Sequence, residues 1–501
     1  MPDTEQPGRQ QHRQLSAAQR RAVSELLRVS PVADELARRF EEAGFTLALV
    51  GGSVRDALLG RLGNDLDFTT DARPEDVLRI VRPWADAVWE VGIAFGTVGC
   101  QKEAPGGDGS QTRSGSDNQR FQIEVTTYRS ESYDRTSRKP EVSYGDTIEE
   151  DLVRRDFTVN AMAVALPAKE FIDPHDGLQD LAAQVLRTPG TPEQSFDDDP
   201  LRMMRAARFA SQLGFEVAPE VQAAMKDMAA RIEIVSAERV RDELNKLLLG
   251  AHPRAGLKLL VDTGLAEYVL PELPMLRLER DEHHRHKDVY EHSLTVLEQA
   301  IDLEQDGPDL TLRLAALLHD IGKPRTRRFE SDGRVSFHHH EVVGAKLTKA
   351  RMVKLKYPND LVKDVSRLVE LHLRFHGYGT GEWTDSAVRR YVRDAGPLLE
   401  RLHKLTRSDC TTRNKRKANA LQRAYDGLEE RIARLEEQEE LDAIRPDLDG
   451  NEIMQILGIG PGVAVGRAYK HLLELRLENG PMEHEAAAAA LREWWAVQEQ
   501  G

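Results

Sequence analysis

Residues 49–70 read LVGGSVRDALLGRLGNDLDFTT, and this stretch decides the fold of the N-terminal region. An apolar strand over Thr46–Val50 leads into a turn at Gly51-Gly52-Ser53, and a short helix and a second strand follow. Because side chains alternate between the two faces of a strand, Asp65 and Asp67 are predicted to lie on the same face.

These features together predict a site for a nucleoside triphosphate. Two neighbouring carboxylates repel each other unless a cation lies between them, and oxygen ligands suit Mg²⁺. The turn places Gly51, Gly52 and Ser53 at the start of a helix, where free backbone N–H groups bind phosphate. Asp65 and Asp67 are therefore candidate catalytic residues that hold Mg²⁺. Alone, an Asp-x-Asp pair is more typical of a solvated loop.

The stretch 49–70 resembles the head motif of the tRNA CCA-adding enzymes, within the polymerase-β-type nucleotidyltransferase superfamily. The resemblance implies that Asp65 and Asp67 bind the catalytic metals. It also implies that Arg55, paired with Asp56, supports the nucleotide-binding turn.

The resemblance continues through the next strand. Residues 121–129 (FQIEVTTYR) resemble the family's following strand and make Glu124 a candidate third catalytic carboxylate. The alternative for Glu124 is an outward strand position paired to an arginine. Residues 102–120 are predicted to form a flexible insertion between two strands, and Tyr128–Tyr144 corresponds to the family's flexible loop.

Residues 154–161 read RRDFTVNA and match a further motif of the family. Guanidinium groups bind phosphate oxygens well, so Arg154 and Arg155 are predicted to contact the triphosphate. Asp156 and Asn160 are predicted to hydrogen-bond the ribose hydroxyls. A solvated basic turn before a buried strand is the alternative for the two arginines.

Residues 195–209 (SFDDDPLRMMRAARF) open a helix and contain a candidate base-reading pair. Asp199 and Arg202 are three residues apart and are predicted to share a helix face. A carboxylate accepts from the amino group of cytosine or adenine, and an arginine donates to ring acceptors, so the pair can select C and A. The family's EDxxR motif has this role, although Asp replaces Glu here. Arg205 and Arg208 continue toward the phosphates. An ion pair at a helix N-terminus is the alternative.

Histidines and aspartates recur over residues 283–410 at intervals typical of a metal site. A His-Asp dipeptide ends an apolar helix, which is unusual for structural histidines. The set resembles the H…HD…D pattern of HD-type metal phosphohydrolases, and its imidazole and carboxylate groups suit Mn, Fe, Co, Ni or Zn. The candidate ligands are His292, His319, Asp320, His340, His372 and Asp409.

The segment 401–417 contains seven Lys or Arg residues and one acid, a local charge of +6 in a chain of net charge −15. Phosphate binding needs local positive charge, so RNA contacts are predicted here despite the acidic total. A solvated helix face is the alternative. The predicted RNA-binding residues are Arg413, Lys415, Arg416 and Lys417.

Length and composition set the domain organisation. The chain has 501 residues, of which 40% are apolar and 31% are charged, as in a soluble protein of several domains. No apolar stretch suits a membrane span and the N-terminus lacks a signal-peptide core, so a cytoplasmic location is expected. The two cysteines exclude a cysteine-rich zinc site.

The predicted fold class is α+β. A polymerase-β-type nucleotidyltransferase head, with a mixed sheet and helices, precedes an all-α neck, an HD domain and a helical tail. The predicted boundaries are a disordered tail (1–24), head (25–190), neck (191–275), HD domain (276–415) and RNA-binding tail (416–501).

The resemblance implies template-independent addition of CMP and AMP, from CTP and ATP, to the 3′ end of tRNA, with HD phosphohydrolase activity as a second function. Poly(A) polymerases and enzymes that add only part of CCA share the head and neck motifs and stay open as alternatives. A metal phosphohydrolase with a degenerate head and a non-catalytic RNA-binding protein are alternatives from other classes. The sequence leaves the oligomeric state open.

Overall fold

The computed structural model describes residues 31–61, 63–103, 120–132, 141–278, 288–331, 335–375, 383–411, 414–439 and 445–498. The predicted disordered tail over 1–24, most of the insertion at 102–120, the centre of the 128–144 loop and Arg413 lie outside these ranges. In the part of the chain that is described, no helix is long and apolar enough to cross a membrane.

The chain divides into two compact units, one formed by residues 1–243 and 250–268 and the other by 244–249 and 269–501. Strands and helices alternate in the first part of the chain. The strands are β1 (Leu47–Val50), β2 (Asp65–Thr70), β3 (Ala87–Trp89), β4 (Thr97–Glu103), β5 (Arg120–Thr127), β6 (Arg129–Ser132), β7 (Glu141–Tyr144), β8 (Ala163–Leu166) and β9 (Glu170–Ile172). The helices among them are α1 (Pro31–Glu42), α2 (Gly52–Leu58), α3 (Pro74–Val81) and α4 (Ile148–Val153).

Seven of these strands form one mixed sheet in the order β3-β4-β5-β2-β1-β8-β9. Strands β2 and β5 run parallel, and β1 pairs with β2 and β8 in antiparallel fashion. All four residues of β1 are buried, which explains its uninterrupted apolar sequence. Strand β2 is therefore the central strand of the sheet, and β1, which leads into the glycine turn, lies beside it.

Helices dominate from residue 177 onward. The first ones are α5 (Gly177–Ala183), α6 (Pro192–Asp198), α7 (Leu201–Leu213), α8 (Pro219–Met228), α9 (Ala237–Leu248), α10 (Pro253–Asp262), α11 (Ala266–Val269) and α12 (Glu272–Met275). Later helices are α13 (Val289–Asp302), α14 (Leu310–Leu318), α15 (Lys323–Thr326), α16 (His340–Lys354), α17 (Asn359–Leu371), α18 (Asp385–Ala395), α19 (Leu399–Ser408), α20 (Lys415–Glu439), α21 (Gly450–Leu457), α22 (Val463–Asn479) and α23 (His484–Gln498).

The structure confirms the α+β class, and it contains two short strand pairs that the sequence analysis did not predict. Strand β10 (Val185–Leu186) pairs with β11 (Glu216–Val217), and β12 (Arg328–Phe329) pairs with β13 (Val335–Ser336). Pairs of two-residue strands are too short to produce a period-2 pattern, so the sequence does not reveal them.

Candidate functional site

The glycine turn packs against the strand that follows it. Gly51 has a φ of +72°, and a Cβ at this position would lie 2.9 Å from Nη1 of Arg155, so the turn requires glycine. The Ser53 hydroxyl donates to the Asp65 carbonyl (3.1 Å) and accepts from the Asp67 N–H (3.0 Å). The Ser53 hydroxyl therefore fixes the turn to β2. Because this hydroxyl is already engaged, Ser53 would bind a phosphate through its backbone N–H group.

The three predicted catalytic carboxylates occupy one face of the sheet. Asp65 and Asp67 are exposed along β2, whereas Leu66 between them is buried. In the parallel pairing of β2 and β5, Asp67 lies opposite Glu124. Neighbouring strands are about 4.8 Å apart and opposite residues point to the same face. Glu124 is therefore beside the pair.

The charges of this cluster disturb one another. Partial burial raises the pKa of Asp67, and the Asp65 carboxylate adds to the rise while Arg155 opposes it. Burial also raises the pKa of Glu124, with further contributions from Asp67 and Asp65. Acids that hold their protons more tightly beside one another need a cation to stay ionised together, and an oxygen-only donor set fits Mg²⁺.

Arg155 lies between the turn and a buried acid. Its Nη2 donates to Asp151 (2.9 Å), whose carboxylate also accepts from the Thr69 hydroxyl (3.3 Å). Asp151 is 7% exposed and fixes the guanidinium next to Gly51. Sequence reasoning assigned no role to Asp151, although its i,i+4 spacing from Arg155 is the signal that would have found it.

The predicted ribose contacts are engaged within the protein. Asn160 is buried; it accepts from Arg55 Nη1 (2.6 Å) and donates to Asp156 (2.9 Å). Arg205 Nη2 lies 2.6 Å from Asp156. Burial alone would raise the pKa of this carboxyl, but the charge of Arg205 and the hydrogen bond from Asn160 outweigh burial, so the pKa is lowered. The side chains of Asp156 and Asn160 must therefore exchange partners before either can bind a ribose.

The sequence predicted that Asp199 and Arg202 share a helix face, but in the structure their side chains have separate partners. Asp199 precedes α7 in an extended conformation (φ −145°, ψ 100°), so the i,i+3 rule for helix faces does not apply to it. Its Oδ2 lies 3.1 Å from Arg239 on α9. Arg202 donates to the Ser195 hydroxyl (2.9 Å) and to the Arg154 carbonyl.

Arg208 also differs from its predicted position. It is 9% exposed, packs 4.2 Å from the Phe209 ring centroid, and its Nε lies 3.1 Å from Glu243. The buried pairing with Glu243 occupies the charge predicted to reach phosphate. Arg205, with 37% of its side chain exposed, is the arginine of this face that keeps access to solvent.

The six predicted ligands of the second unit lie together. Asp320 joins them, since its Oδ2 lies 3.2 Å from Nε2 of His319 and its Oδ1 lies 3.2 Å from Nε2 of His340. Each oxygen of this carboxylate faces a different set of ligands. Within each set the ligand atoms all lie within 4.8 Å of one another, and the sets are His292, His319 and Asp409, and Asp320, His340 and His372.

Backbone carbonyls orient three of the imidazoles. The Nδ1 atoms of His319, His340 and His372 each lie 2.7–2.8 Å from the carbonyl oxygen three residues earlier. Because a carbonyl oxygen only accepts, Nδ1 carries the proton and a neutral ring presents the Nε2 lone pair to the cluster. Such outer bonds are typical of metal-binding histidines.

The inner faces of these rings fit a metal. Nε2 of His340 and Nε2 of His372 are buried and have no hydrogen-bond partner among the described residues. They face Oδ1 of Asp320 at 3.2 and 4.0 Å. A lone pair facing a carboxylate oxygen in a buried site is unfavourable unless a cation lies nearby.

The pKa values show where positive charge gathers in the metal-free cluster. Burial and the neighbouring His319 lower the pKa of His372 to about 3, so this ring stays neutral. Burial opposes a charge on His319, but the Asp320 carboxylate raises its pKa to about 9. Lys323, which sequence reasoning missed, places Nζ 2.8 Å from Oδ2 of Asp320.

The basic segment is smaller than the sequence predicted. Arg401, Lys404 and Arg407 form ion pairs at 2.6–2.8 Å with neighbouring acids, so the predicted +6 patch is largely neutralised at its N-terminal end. By contrast, the residues of 415–417 are all exposed.

Family models match three successive regions of the chain. "Poly A polymerase head domain" matches residues 47–187, "Probable RNA and SrmB- binding site of polymerase A" matches 214–276, and "HD domain" matches 289–414. The A-adding tRNA nucleotidyltransferase of Deinococcus radiodurans is 38% identical over 355 residues, covering 69% of this chain and 79% of that protein. The chain belongs to the tRNA nucleotidyltransferase and poly(A) polymerase family.

Other members of this tRNA nucleotidyltransferase family match over a shorter length. The CCA-adding enzyme of Lacticaseibacillus paracasei is 41% identical over 232 residues, which is 46% of this chain and 53% of that enzyme. The chain thus spans about half the length of the CCA-adding relatives. The structure of the Bacillus stearothermophilus CCA-adding enzyme with CTP has the same fold, with a TM-score of 0.65 and 24% identity over 93% of this chain and 98% of that one.

In this chain, residues of α9 contact the segment that precedes and begins α7. Arg239 contacts Asp199 and Glu243 contacts Arg208, so two residues four apart on one helix hold two residues of the predicted base-reading region. Sequence analysis did not assign Arg239 or Glu243 to the site, because pairings of residues 35 to 40 positions apart have no local signal.

Proposed function

We propose that this protein adds CMP and AMP from CTP and ATP to the 3′ end of tRNA without a nucleic-acid template, in the cytoplasm. The observation that carries the proposal is the placement of Asp65, Asp67 and Glu124 on one face of β2 and β5, next to the turn at Gly51. A nucleotidyl-transfer site needs cation-binding carboxylates beside a phosphate-binding turn. The similarity to an A-adding tRNA nucleotidyltransferase supports tRNA as the acceptor.

Different residues of the head would bind the metal and the triphosphate during nucleotidyl transfer. Mg²⁺ held by Asp65 and Asp67 would stabilise the charge that develops as the tRNA 3′-hydroxyl attacks the α-phosphate and pyrophosphate leaves. Arg155, held by Asp151 beside Gly51, is placed to bind the triphosphate. Glu124 lies opposite Asp67 and completes the negative face.

Base selection is assigned to Asp199 and Arg202. Their present partners are the exposed Arg239 and the Ser195 and Arg154 oxygen atoms. A cytosine or adenine that bonds both side chains replaces these partners, and its amino group and ring acceptor match a carboxylate and a guanidinium. Guanine and uracil present a carbonyl oxygen where the carboxylate needs a donor.

Product sizing tests the transfer proposal. Purified protein is incubated with tRNA that ends at the discriminator base, with CTP, ATP or both, and products are separated at single-nucleotide resolution. We expect three added nucleotides only when both triphosphates are present. Long tails from ATP alone would contradict the proposal in favour of poly(A) synthesis.

Addition of a single AMP to tRNA that already ends in CC is the second candidate. It is favoured by the match over most of the chain's length to an A-adding enzyme. Parallel reactions on tRNA ending in CC separate the two. Extension of that acceptor by ATP, together with no use of CTP on the shorter acceptor, would assign A addition and reject full CCA addition.

We further propose that the histidine cluster is a transition-metal phosphohydrolase centre for Mn, Fe, Co, Ni or Zn. Four imidazoles and two carboxylates suit such ions better than Mg²⁺. Bound metal would activate water for attack on phosphorus, while Asp320 would connect the two sets of ligands. Release of p-nitrophenol from p-nitrophenyl phosphate, measured with each metal in turn, is the test. No hydrolysis with any metal would reject this activity.

A further inference from the structure

Three exposed cations begin helix α20, and they differ from the cations just before them. Lys415, Arg416 and Lys417 are exposed, and among the described residues none of them forms an ion pair. Arg407, eight residues before Lys415, is paired with Asp426 at 2.8 Å and with Glu429 at 2.9 Å. We call the three residues 415–417 the α20 cation cluster.

The charge order of α20 is the reverse of the order that stabilises a helix. The N-terminus of a helix carries partial positive charge and favours acids, while the C-terminus favours bases. Helix α20 has no acid in its first turn and no base in its last turn. The helix dipole therefore does not stabilise the cluster, and its positive charge is available to a negatively charged ligand.

The cluster is held beside the metal centre. Thr411 places its hydroxyl 3.1 Å from Nδ1 of the predicted ligand His292, two residues after the ligand Asp409. Lys415 is four positions after Thr411, so their Cα atoms are at most about 14 Å apart even if the chain between them is fully extended. The Tyr425 hydroxyl donates to the Thr406 carbonyl (2.7 Å), which fixes α20 to the end of α19 just before Asp409.

The arrangement of the cluster indicates an extended ligand. Successive residues of an α-helix point about 100° apart, so three in a row cover roughly 200° of its circumference. The side chains of 415–417 therefore start in different directions, which suits contacts with successive phosphates of a chain better than contact with a single phosphate group.

We propose that the α20 cation cluster binds the phosphate backbone of an oligonucleotide whose terminal phosphate is hydrolysed at the histidine cluster. This rests on the proposed phosphohydrolase activity and names its substrate class. In the reaction, a water oxygen forms a bond to phosphorus and the bond from phosphorus to the ribose oxygen breaks. That oxygen leaves as a hydroxyl after taking a proton, and inorganic phosphate is released.

The test compares two substrates of the metal-loaded, full-length protein. One is an oligoribonucleotide of about ten nucleotides with a 3′-terminal phosphate, and the other is p-nitrophenyl phosphate. With Lys415→Gln, Arg416→Gln and Lys417→Gln combined, we expect kcat/KM for the oligonucleotide to fall at least 30-fold, mainly through KM. The slope of log kcat/KM for the oligonucleotide against log salt concentration should become shallower by about 2. Hydrolysis of p-nitrophenyl phosphate should change less than twofold.

A matched pair of single variants controls for charge on the same helix. Arg416→Gln should weaken use of the oligonucleotide, whereas Arg434→Gln, at an exposed position about 27 Å further along α20, should not. Equal loss on both substrates would overturn the proposal by indicating a structural role, and so would unchanged use of the oligonucleotide. Weaker tRNA extension with unchanged oligonucleotide hydrolysis would assign the cluster to the transfer reaction instead. Wild-type protein that hydrolyses neither substrate would reject the phosphohydrolase itself.

Discussion

The two candidate metal sites of this chain use different donor atoms on different scaffolds. In the head, Asp65 and Asp67 are exposed at one end of a strand, and Glu124 lies opposite on the next strand. In the second unit, His319 and Asp320 are each 1% exposed, and a backbone carbonyl lies behind the ring of His319. The first site offers only oxygen atoms, and the second offers four imidazoles with two carboxylates.

The head site would need substrate phosphates to complete the shell of its metal, whereas the ligands of the histidine cluster are already in position without substrate. Mg²⁺ keeps several waters and uses substrate phosphates as ligands, so an open carboxylate face suits it. Buried imidazoles with fixed tautomers are already in place before any ligand arrives. The same chain therefore contains two candidate metal sites of different construction, and each of the following experiments tests whether they act separately.

The largest expected effect is that of Asp65→Ala on transfer. Removing one of two metal-holding carboxylates should reduce tRNA extension by at least about 1000-fold, since electrostatic stabilisation of the transition state is lost. Hydrolysis of p-nitrophenyl phosphate should be unchanged. Single-turnover extension and phosphatase rates measured on one preparation check both statements, and circular dichroism confirms the fold.

Metal retention should also differ between the sites. After dialysis against metal-free buffer without nucleotide, the wild-type protein should keep transition metal, whereas Mg²⁺ should be lost. His372→Ala removes a buried ligand and should lower metal affinity about 10–100-fold. Elemental analysis of both proteins measures this. Equal metal content in the two would show that His372 is not a ligand.

A smaller effect is expected at Asp199, one of the two residues proposed to select the base. Asp199→Ala should reduce the preference for CTP and ATP over UTP and GTP by about tenfold, because one hydrogen-bonded base contact contributes about 1–3 kcal/mol. Triphosphate affinity should change little. Competition assays with mixed triphosphates give the ratio, and an unchanged ratio would contradict the template role.

The smallest effect is expected for Arg239→Gln. This ion pair leaves 55% of the Arg239 side chain exposed, and exposed pairs contribute at most about 1 kcal/mol. Selectivity should therefore change about fivefold at most, and the free energy of unfolding should change by no more than about 1 kcal/mol. A loss as large as that of Asp199→Ala would assign base contact to Arg239 as well.

Local pattern accounts for much of both sites. Strand alternation placed Asp65 and Asp67 on one face, and the structure agrees. The His-Asp dipeptide at the end of an apolar helix marked the second cluster, whose six predicted ligands lie together. Both features depend on residues close in sequence and on strongly restrictive side-chain chemistry.

Pairings between distant residues could not be obtained this way. The register that brings Glu124 opposite Asp67 depends on a parallel pairing across 57 positions. The contact of Arg239 with Asp199 joins residues 40 positions apart, and the extended conformation of Asp199 before the helix has no local sequence signal either. Similarly, a count of charges between 401 and 417 could not distinguish Arg407, which is paired, from Lys415, which is exposed.

The central claim is that the two metal sites act independently, and Asp320→Asn tests it most directly. This change removes the carboxylate that faces both sets of histidine-cluster ligands while keeping its size. On one preparation with unchanged thermal stability, we predict that p-nitrophenyl phosphate hydrolysis falls at least about 100-fold and that tRNA extension stays within twofold of wild type. Loss of extension together with hydrolysis in a folded Asp320→Asn protein would contradict the account.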